Sequence, residues 1–284
     1  MKISSIGLSK PMPACKRRGL NSVAYWRYSA KMVVIVQILV KEIAMKIIWL
    51  GHASFRIEIS GQVLLVDPWI NGNPMLPETE HWNAINGATH ILLTHGHFDH
   101  ISSTLPLSKE KDIPVVGQFD LVNYWTEHEG IKGIGFNKGG TVMLGQVAVT
   151  MVNAVHSSTM RTHDGPKCIG SECGFMISGE GHTIYVSGDT DVMADMAVFH
   201  DLHAPDIGIL ASGGHFTMDM KRAGYAAEKF FDFKTIIPCH YKTMPFLEQS
   251  ADELIKAVSK ANVVEPEVMV PIDFLNGIDW QPKD

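Results

Sequence analysis

His95, His97, Asp99 and His100 fall within six residues, in the run Thr94-His95-Gly96-His97-Phe98-Asp99-His100. The apolar stretch Ile91 to Thr94 ends there, so three imidazoles and one carboxylate crowd a loop between a strand and a helix. In a chain with 14 His, composition alone produces this spacing in roughly two of a thousand sequences. Alternate residues His95 and His97 can point together at one metal ion, while Asp99 and His100, further round the loop, reach a second position. Imidazole and carboxylate donors suit zinc, manganese, iron or nickel; the absence of thiolates leaves the choice open, with zinc as the first expectation. Neither position has enough ligands from this loop alone.

The missing ligands are expected at other strand ends, where loops gather distant residues at one edge of a sheet. His156 follows the apolar run Val147 to Val155, Asp189 follows Ile184 to Ser187, and His240 follows Ile236 to Cys239. Each alone reads equally as a loop residue or helix cap, so the weight lies in their combination. Asp67, at the end of Val63 to Val66, is expected to orient the histidine loop through hydrogen bonds, as carboxylates do behind metal-bound imidazoles. Its competing reading is a turn-forming Asp before Pro68. His52 ends the first strand and either faces the site as a proton donor or is a satisfied structural histidine. Cys168 and Cys173 flank Gly170 and read as a buried thiol pair, and Cys239 as a small core residue.

These residues need a framework of strands with loops at one edge. Strands are predicted at Ile47 to Leu50, Phe55 to Ile59, Val63 to Val66, Ile91 to Thr94, Val115 to Gly117, Val147 to Asn153, Gly174 to Ile177, Thr183 to Ser187, Ile207 to Leu210, Thr235 to Pro238 and Val268 to Val270. Helices are predicted at Ser103 to Glu110, Asp120 to Glu129, Asp191 to Asp201, Asp219 to Phe231 and Ala251 to Ala261. A first half rich in hairpins, followed by alternating strand and helix, implies an α/β fold of two packed sheets with helices outside.

The 284 residues, 45% hydrophobic and 19% charged, allow a single large α/β domain and exclude collagenous, low-complexity and disulfide-scaffold classes. Four cysteines without a C-x-x-C pair point to a reducing compartment, the cytoplasm. Residues 1–44 carry eight Lys or Arg and one acid, Glu42, whereas residues 45–284 hold 16 bases against 29 acids. So acidic a body, with no basic run, is not expected to bind nucleic acid. The apolar run Met32 to Val40 is shorter than the ~20 residues of a membrane span, and Lys41-Glu42 replaces a signal-peptide cleavage site. Residues 1–44 therefore read as a basic and apolar extension outside the core, and residues 45–284 as one domain opening with the strand pattern of Met45 to Leu50.

The ordered series His95, His97, Asp99, His100, His156, Asp189 and His240 resembles the ligand series of the metallo-β-lactamase superfamily over residues 45 to about 275. The resemblance implies an αβ/βα four-layer sandwich with a binuclear metal site: His95, His97 and His156 on one ion, Asp99, His100 and His240 on the other, and Asp189 bridging. Trp49-Leu50-Gly51-His52-Ala53-Ser54-Phe55, Val66-Asp67-Pro68, Asn73-Pro74, His156-Ser157-Ser158 and Gly213 to Met218 resemble the compact branch known as UPF0173 metal-dependent hydrolases. Several activities of the superfamily do not suit this chain. Asp189 stands where β-lactamases generally place a cysteine, and His97 where flavodiiron reductases need Glu. Only 44 residues follow His240, too few for the helical substrate domain of glyoxalase II. Asp189 and His240, 51 positions apart, leave no room for the inserted domain of the processing nucleases.

The implied function is hydrolysis of a small ester, lactone, amide or phosphodiester. Two divalent ions about 3.5 to 4 Å apart would lower the pKa of a shared water to about 7, with Asp99 holding the resulting nucleophile. The alternative is a non-catalytic metal-binding or scaffold protein that keeps the fold. A small-molecule substrate is the implied partner, and a homo-oligomer is left open. His215 departs from the branch, which often has Asn there, and is a candidate proton donor to substrate near neutral pH.

Because every candidate ligand lies beyond residue 44, a chain lacking residues 1–44 should fold and bind metal like the full chain. Circular dichroism and metal analysis of the truncated protein check this; aggregation or lost metal would place the segment in the core.

Overall fold

The computed structural model describes residues 45–274. The basic segment 1–44 and the last ten positions of the expected domain lie outside the described residues. Two seven-stranded mixed sheets dominate. The first contains β1 (Met45–Trp49), β2 (Phe55–Ile59), β3 (Gln62–Val66), β4 (His90–Leu93), β5 (Val115–Gln118), β6 (Gly133–Phe136) and β16 (Pro271–Phe274), in the order β16-β1-β2-β3-β4-β5-β6. The second contains β7 (Thr141–Leu144), β8 (Val147–Asn153), β11 (Cys173–Gly179), β12 (His182–Val186), β13 (Ile207–Ala211), β14 (Thr235–Cys239) and β15 (Asn262–Val263), in the order β15-β14-β13-β12-β11-β8-β7. Strands β9 (Thr159–Thr162) and β10 (Gly165–Cys168) form a separate hairpin. In each sheet an antiparallel half adjoins a parallel half, β3-β4-β5-β6 and β12-β13-β14-β15. This is the α/β arrangement of two packed sheets that the sequence implied.

Strands β1, β3 and β4 read as largely continuous apolar runs because both faces of the first sheet are covered. Successive residues point to opposite faces of a strand, so Ile47 and Trp49 join a core shared with Phe175, Ile184 and Ile209 of the second sheet. Their neighbours Ile48 and Leu50 join a second core with Leu121, Val122 and Trp125. These last three lie on α4 (Phe119–Glu129), which follows α1 (His81–Ile85), α2 (Phe98–Ile101) and α3 (Thr104–Lys111). The second sheet is covered by α5 (Asp195–His203) and α6 (Met220–Phe230), and α7 (Asp252–Ala257) packs on α6. Ala223, Ala226 and Ala227 bury one face of α6, and the Asp219 side chain caps its start by accepting from Arg222 N–H.

Several expectations need correction. The strand expected at Val268 to Val270 lies at Pro271–Phe274, and Val268 makes only an isolated bridge to Trp49. Strands β6, β7, β9, β10 and β15 were not anticipated; β6 alternates Ile134 and Phe136 with glycine, which strands disfavour, and the hairpin β9–β10 is largely polar, so partner strands rather than local pattern define them. The helix expected from Asp191 starts at Asp195, and that expected to reach Ala261 stops at Ala257. Cys168 is exposed while Cys173 is buried, so they are not a buried pair: β10 leaves the sheets and carries Cys168 into solvent.

The parallel strands β4, β12, β13 and β14 present their carboxyl ends to a common edge, and the loops that follow carry His95 to His100, Asp189, His215 and His240. Gly188, directly before Asp189, has φ +59°, and a Cβ there would collide with the carbonyl oxygen of Cys173. Gly181 has φ +81° with open space around it. Gly181→Ala should therefore cost only the left-handed penalty of about 1–2 kcal/mol, and Gly188→Ala a further ~1–3 kcal/mol of overpacking. Denaturant unfolding of the two variants measures the difference; equal losses would remove the packing constraint on the Asp189 loop.

Candidate metal centre

The loop after β4 is fixed from behind. Asp67, at the end of β3, accepts from Thr94 N–H (2.8 Å), from the Thr94 hydroxyl (2.6 Å) and from His100 Nδ1 (2.7 Å). Since the Thr94 hydroxyl donates to Asp67, its oxygen accepts from His95 Nδ1–H at 3.0 Å, which leaves His95 Nε2 as a bare lone pair. His100 is set in the same way, with Nδ1 on Asp67 and Nε2 turned into the site. Gly96 N–H donates to the Ser158 hydroxyl (3.0 Å), tying the loop to the segment that carries His156.

Two clusters result, each with its donor atoms within 4.8 Å of one another: His95, His97 and His156 in one, His52, Asp99, His100 and His240 in the other. His95 Nε2 lies 2.9 Å from His97 Nδ1, and His156 Nε2 lies 3.3 Å from the same atom. Asp189 joins the clusters: its Oδ2 is 3.1 Å from His240 Nε2, 3.4 Å from His100 Nε2, 3.6 Å from His156 Nε2 and 3.9 Å from His95 Nε2. Donors about 2.1 Å from a tetrahedral ion stand about 3.4 Å apart, so these separations suit donors that share cations. The buried atoms His100 Nε2 and Asp189 Oδ1 have no hydrogen-bond partner among the described residues, and unpartnered buried donors and acceptors are costly. The residues present fit a metal.

The electrostatics divide along the same line. Burial holds His95 well below the ordinary imidazole value, and burial likewise lowers His97 and His156, so this cluster offers three neutral nitrogens. In the other cluster burial again opposes the imidazolium, but Asp189, Asp67 and Asp99 outweigh it and raise His100 well above its usual value. At His240, Asp189 and Asp99 likewise overcome burial and push the pKa up to about 9. Burial favours neutral acids at Asp189 and Asp99, yet the adjoining histidines hold both well below the carboxylate range. His52 is dominated by burial and falls to about 4.

All seven residues expected as ligands are thus brought together, with Asp67 directly behind them. His52 also reaches the cluster but is 1% exposed, with both ring nitrogens engaged by neighbours. His215 is not joined to it: the ring is exposed, packs on Phe216 (4.5 Å) and Phe246 (4.9 Å), and makes no hydrogen bond or ion pair to these histidines. It lines a neighbouring cavity of about 520 Å³ with Gly213, Arg222, Phe246 and Glu248. Thr94, Ser158 and Thr243 were missed by sequence reasoning. Thr94 adjoins the motif, which was a usable signal; Thr243 had none.

The sequence matches the family model described as Beta-lactamase superfamily domain over residues 46–240. The chain belongs to that family. A UPF0173 metal-dependent hydrolase of Dinoroseobacter shibae is 66% identical over 230 residues, covering 81% of this chain and 100% of the relative. One from Paracoccus denitrificans is 61% identical over 228 residues, covering 80% and 99%. Among solved structures, Igni18, a metallo hydrolase of Ignicoccus hospitalis, superposes with a TM-score of 0.69 at 28% identity, covering 81% of this chain and 99% of its own. The protein is a metal-dependent hydrolase of metallo-β-lactamase fold, as the ligand series implied. Among the described residues no helix is long and apolar enough to cross a membrane.

Metal binding by this hydrolase must compete with protons, since imidazole ligates through the lone pair that a proton occupies. With its pKa at about 9, His240 is protonated at pH 7.5 in the metal-free protein. Binding there should release at least one proton per chain, and affinity should rise up to tenfold per pH unit per proton until about pH 9. Titration calorimetry in buffers of different ionisation enthalpy reads this directly; metal binding without proton release would contradict the charge distribution described.

Proposed function

We propose that the protein is a two-metal hydrolase acting on a small ester, lactone, amide or phosphodiester, with zinc as the metal best suited to its imidazole and carboxylate donors. In this reading His95, His97 and His156 hold one ion, Asp99, His100 and His240 the other, and Asp189 is shared. The observation that supports it is the position of Asp189 Oδ2, which faces imidazole nitrogens from both clusters at 3.1 to 3.9 Å. Such ions supply Lewis acidity, lowering the pKa of water towards about 7 and stabilising charge that develops on substrate oxygen.

The chain's own residues supply position and proton handling. The Asp99 side chain is 15% exposed, against 3% for Asp189, so it is the carboxylate of the site that a water can reach. Held ionised by the surrounding histidines, it accepts a hydrogen bond from that water and orients it for attack. Asp67 and Thr94 keep His95 and His100 turned inward as lone-pair donors. His215, on the loop after β13 and packed on Phe216 and Phe246, is proposed to protonate the leaving group once substrate fills the cavity that it lines. The free cysteines accord with a cytoplasmic setting.

Metal analysis after reconstitution with zinc or manganese should give two ions per chain. Asp189→Ala should weaken both sites, and His156→Ala should empty one. One ion in the parent protein, or an Asp189→Ala chain that still holds two with unchanged affinity, would overturn the shared arrangement. A screen of esters, lactones, amides and phosphodiesters on the loaded protein identifies the bond. On the best substrate His215→Asn should keep both metals and lose about 10²- to 10⁴-fold in kcat; full activity would make that position structural.

A further inference from the structure

The turn Gly51-His52-Ala53 after β1 supplies no ligand in the assignment above, yet its imidazole is the nearest neighbour of Asp99. His52 sits at φ 55°, in the left-handed region that a non-glycine residue adopts only when its surroundings impose it. Those surroundings are visible. The His52 carbonyl accepts from Trp49 Nε1–H at 2.8 Å and from His240 N–H at 2.9 Å, so the turn is bound to the end of β14 that carries His240. Its ring lies 4.0 Å from the His240 ring and 5.4 Å, edge-on, from Trp69. The imidazole therefore has little freedom to reorient.

Its two nitrogens have separate partners. Nε2 lies 2.9 Å from Asp99 Oδ2, and Nδ1 lies 2.8 Å from the Thr243 hydroxyl. A carboxylate only accepts, so the proton of a neutral imidazole sits on Nε2, and Nδ1 accepts from Thr243. Occupancy of the ring nitrogens separates His52 from the ligands. Both of its nitrogens have hydrogen-bond partners, Nε2 at 2.9 Å from Asp99 Oδ2, whereas His100 Nε2, 3.8 Å from the same oxygen, has none among the described residues.

We propose that His52 is a positioning residue: through a chain from the Thr243 hydroxyl to Nδ1 and from Nε2–H to Asp99 Oδ2, it fixes the carboxylate at the mouth of the metal centre. This rests on the assignment of Asp99 to the second ion. Asp99 lies on the four-residue helix α2 and is the most exposed carboxylate of the centre, and among the described residues His52 Nε2 is the one partner its side chain has at hydrogen-bond length. The function of the strained turn is then to bring a hydrogen-bond donor from β1 to a ligand that arrives from β4. His52 does not touch substrate and is not a proton donor to it, because both nitrogens are spent within the protein.

The test is metal affinity, read by competition with a chelator on the full-length chain titrated with Zn²⁺. Loss of a hydrogen-bond partner behind a ligand typically costs 10- to 100-fold in affinity. His52→Leu should weaken one ion in that range and leave the other unchanged. His52→Gln, whose amide N–H can take the place of Nε2–H, should recover most of the loss, and Thr243→Val should shift the same ion by a smaller factor. If the Leu variant does not fold, Gln and Thr243→Val carry the comparison, with near-parental affinity expected for the first and weakening of one ion for the second. A Gln variant that binds a single ion would make His52 itself a ligand and overturn the proposal, as would Leu and Thr243→Val variants with both affinities unchanged. Asp99→Ala run in parallel separates the two readings. If Asp99→Ala weakens one ion and the His52 variants do not, the positioning role alone fails; if Asp99→Ala changes neither, the assignment beneath it fails.

Discussion

The carboxylate of Asp67 is the contact through which the sheet grips the metal centre. Its side chain is almost wholly buried, where a carboxylate without donors would cost several kcal/mol. The donors that satisfy it are the backbone and hydroxyl of Thr94 and the Nδ1 of His100. All belong to the loop that carries the histidines, so satisfying one buried charge orients that loop. Through the Thr94 hydroxyl the same carboxylate sets the tautomer of His95, and directly it sets that of His100. One residue at the end of β3 thus turns a ring nitrogen into the site in each of the two clusters.

Around that anchor the molecule concentrates groups that oppose one another in the absence of cations. Asp67, Asp99 and Asp189 converge with His95, His100 and His240, all but Asp99 nearly inaccessible to solvent. In the metal-free chain the balance is kept by protons on His100 and His240, whose pKa values the carboxylates raise. The backbone carries part of the cost. His52, Asp67 and His240 adopt positive φ values of 55°, 45° and 60°, conformations that disfavour residues with a Cβ and recur at functional sites. The two apolar cores flanking the first sheet supply the stability against which that strain is held.

Family membership fixes the class of chemistry, and the loop after β13 is the part of the fold from which the proposed action of His215 on substrate would come. Phe216 and Phe246 are each more than half exposed and pack around His215, which with Phe246 and Gly213 lines a cavity of its own. A Cβ at Gly213 would strike the carbonyl of His240, so only glycine fits where the loop after β13 crosses the end of β14.

Local spacing determined much of this protein from sequence alone. His95, His97, Asp99 and His100 were legible because a few residues of one loop fix their relative positions, β1, β3 and β4 because buried strands need largely continuous apolar runs, and β2 because Phe55, Ile57 and Ile59 alternate with Arg56 and Glu58. Asp189 and His240 were legible as residues that follow such runs. Tertiary structure decided the rest. Thr243 meets His52 across 191 positions, and no periodicity reports a contact that exists only because the turn after β1 meets the loop after β14. The hairpin β9–β10, which carries Cys168 into solvent, and the placement of β16 beyond Val268 depend on partner strands that local pattern does not name. His215 looked in sequence like a residue of the same edge, and it is; but being on an edge sets neither distance nor direction. The fold turns its ring onto Phe216 and Phe246, because side-chain direction follows from backbone conformation and packing, which spacing along the chain does not encode.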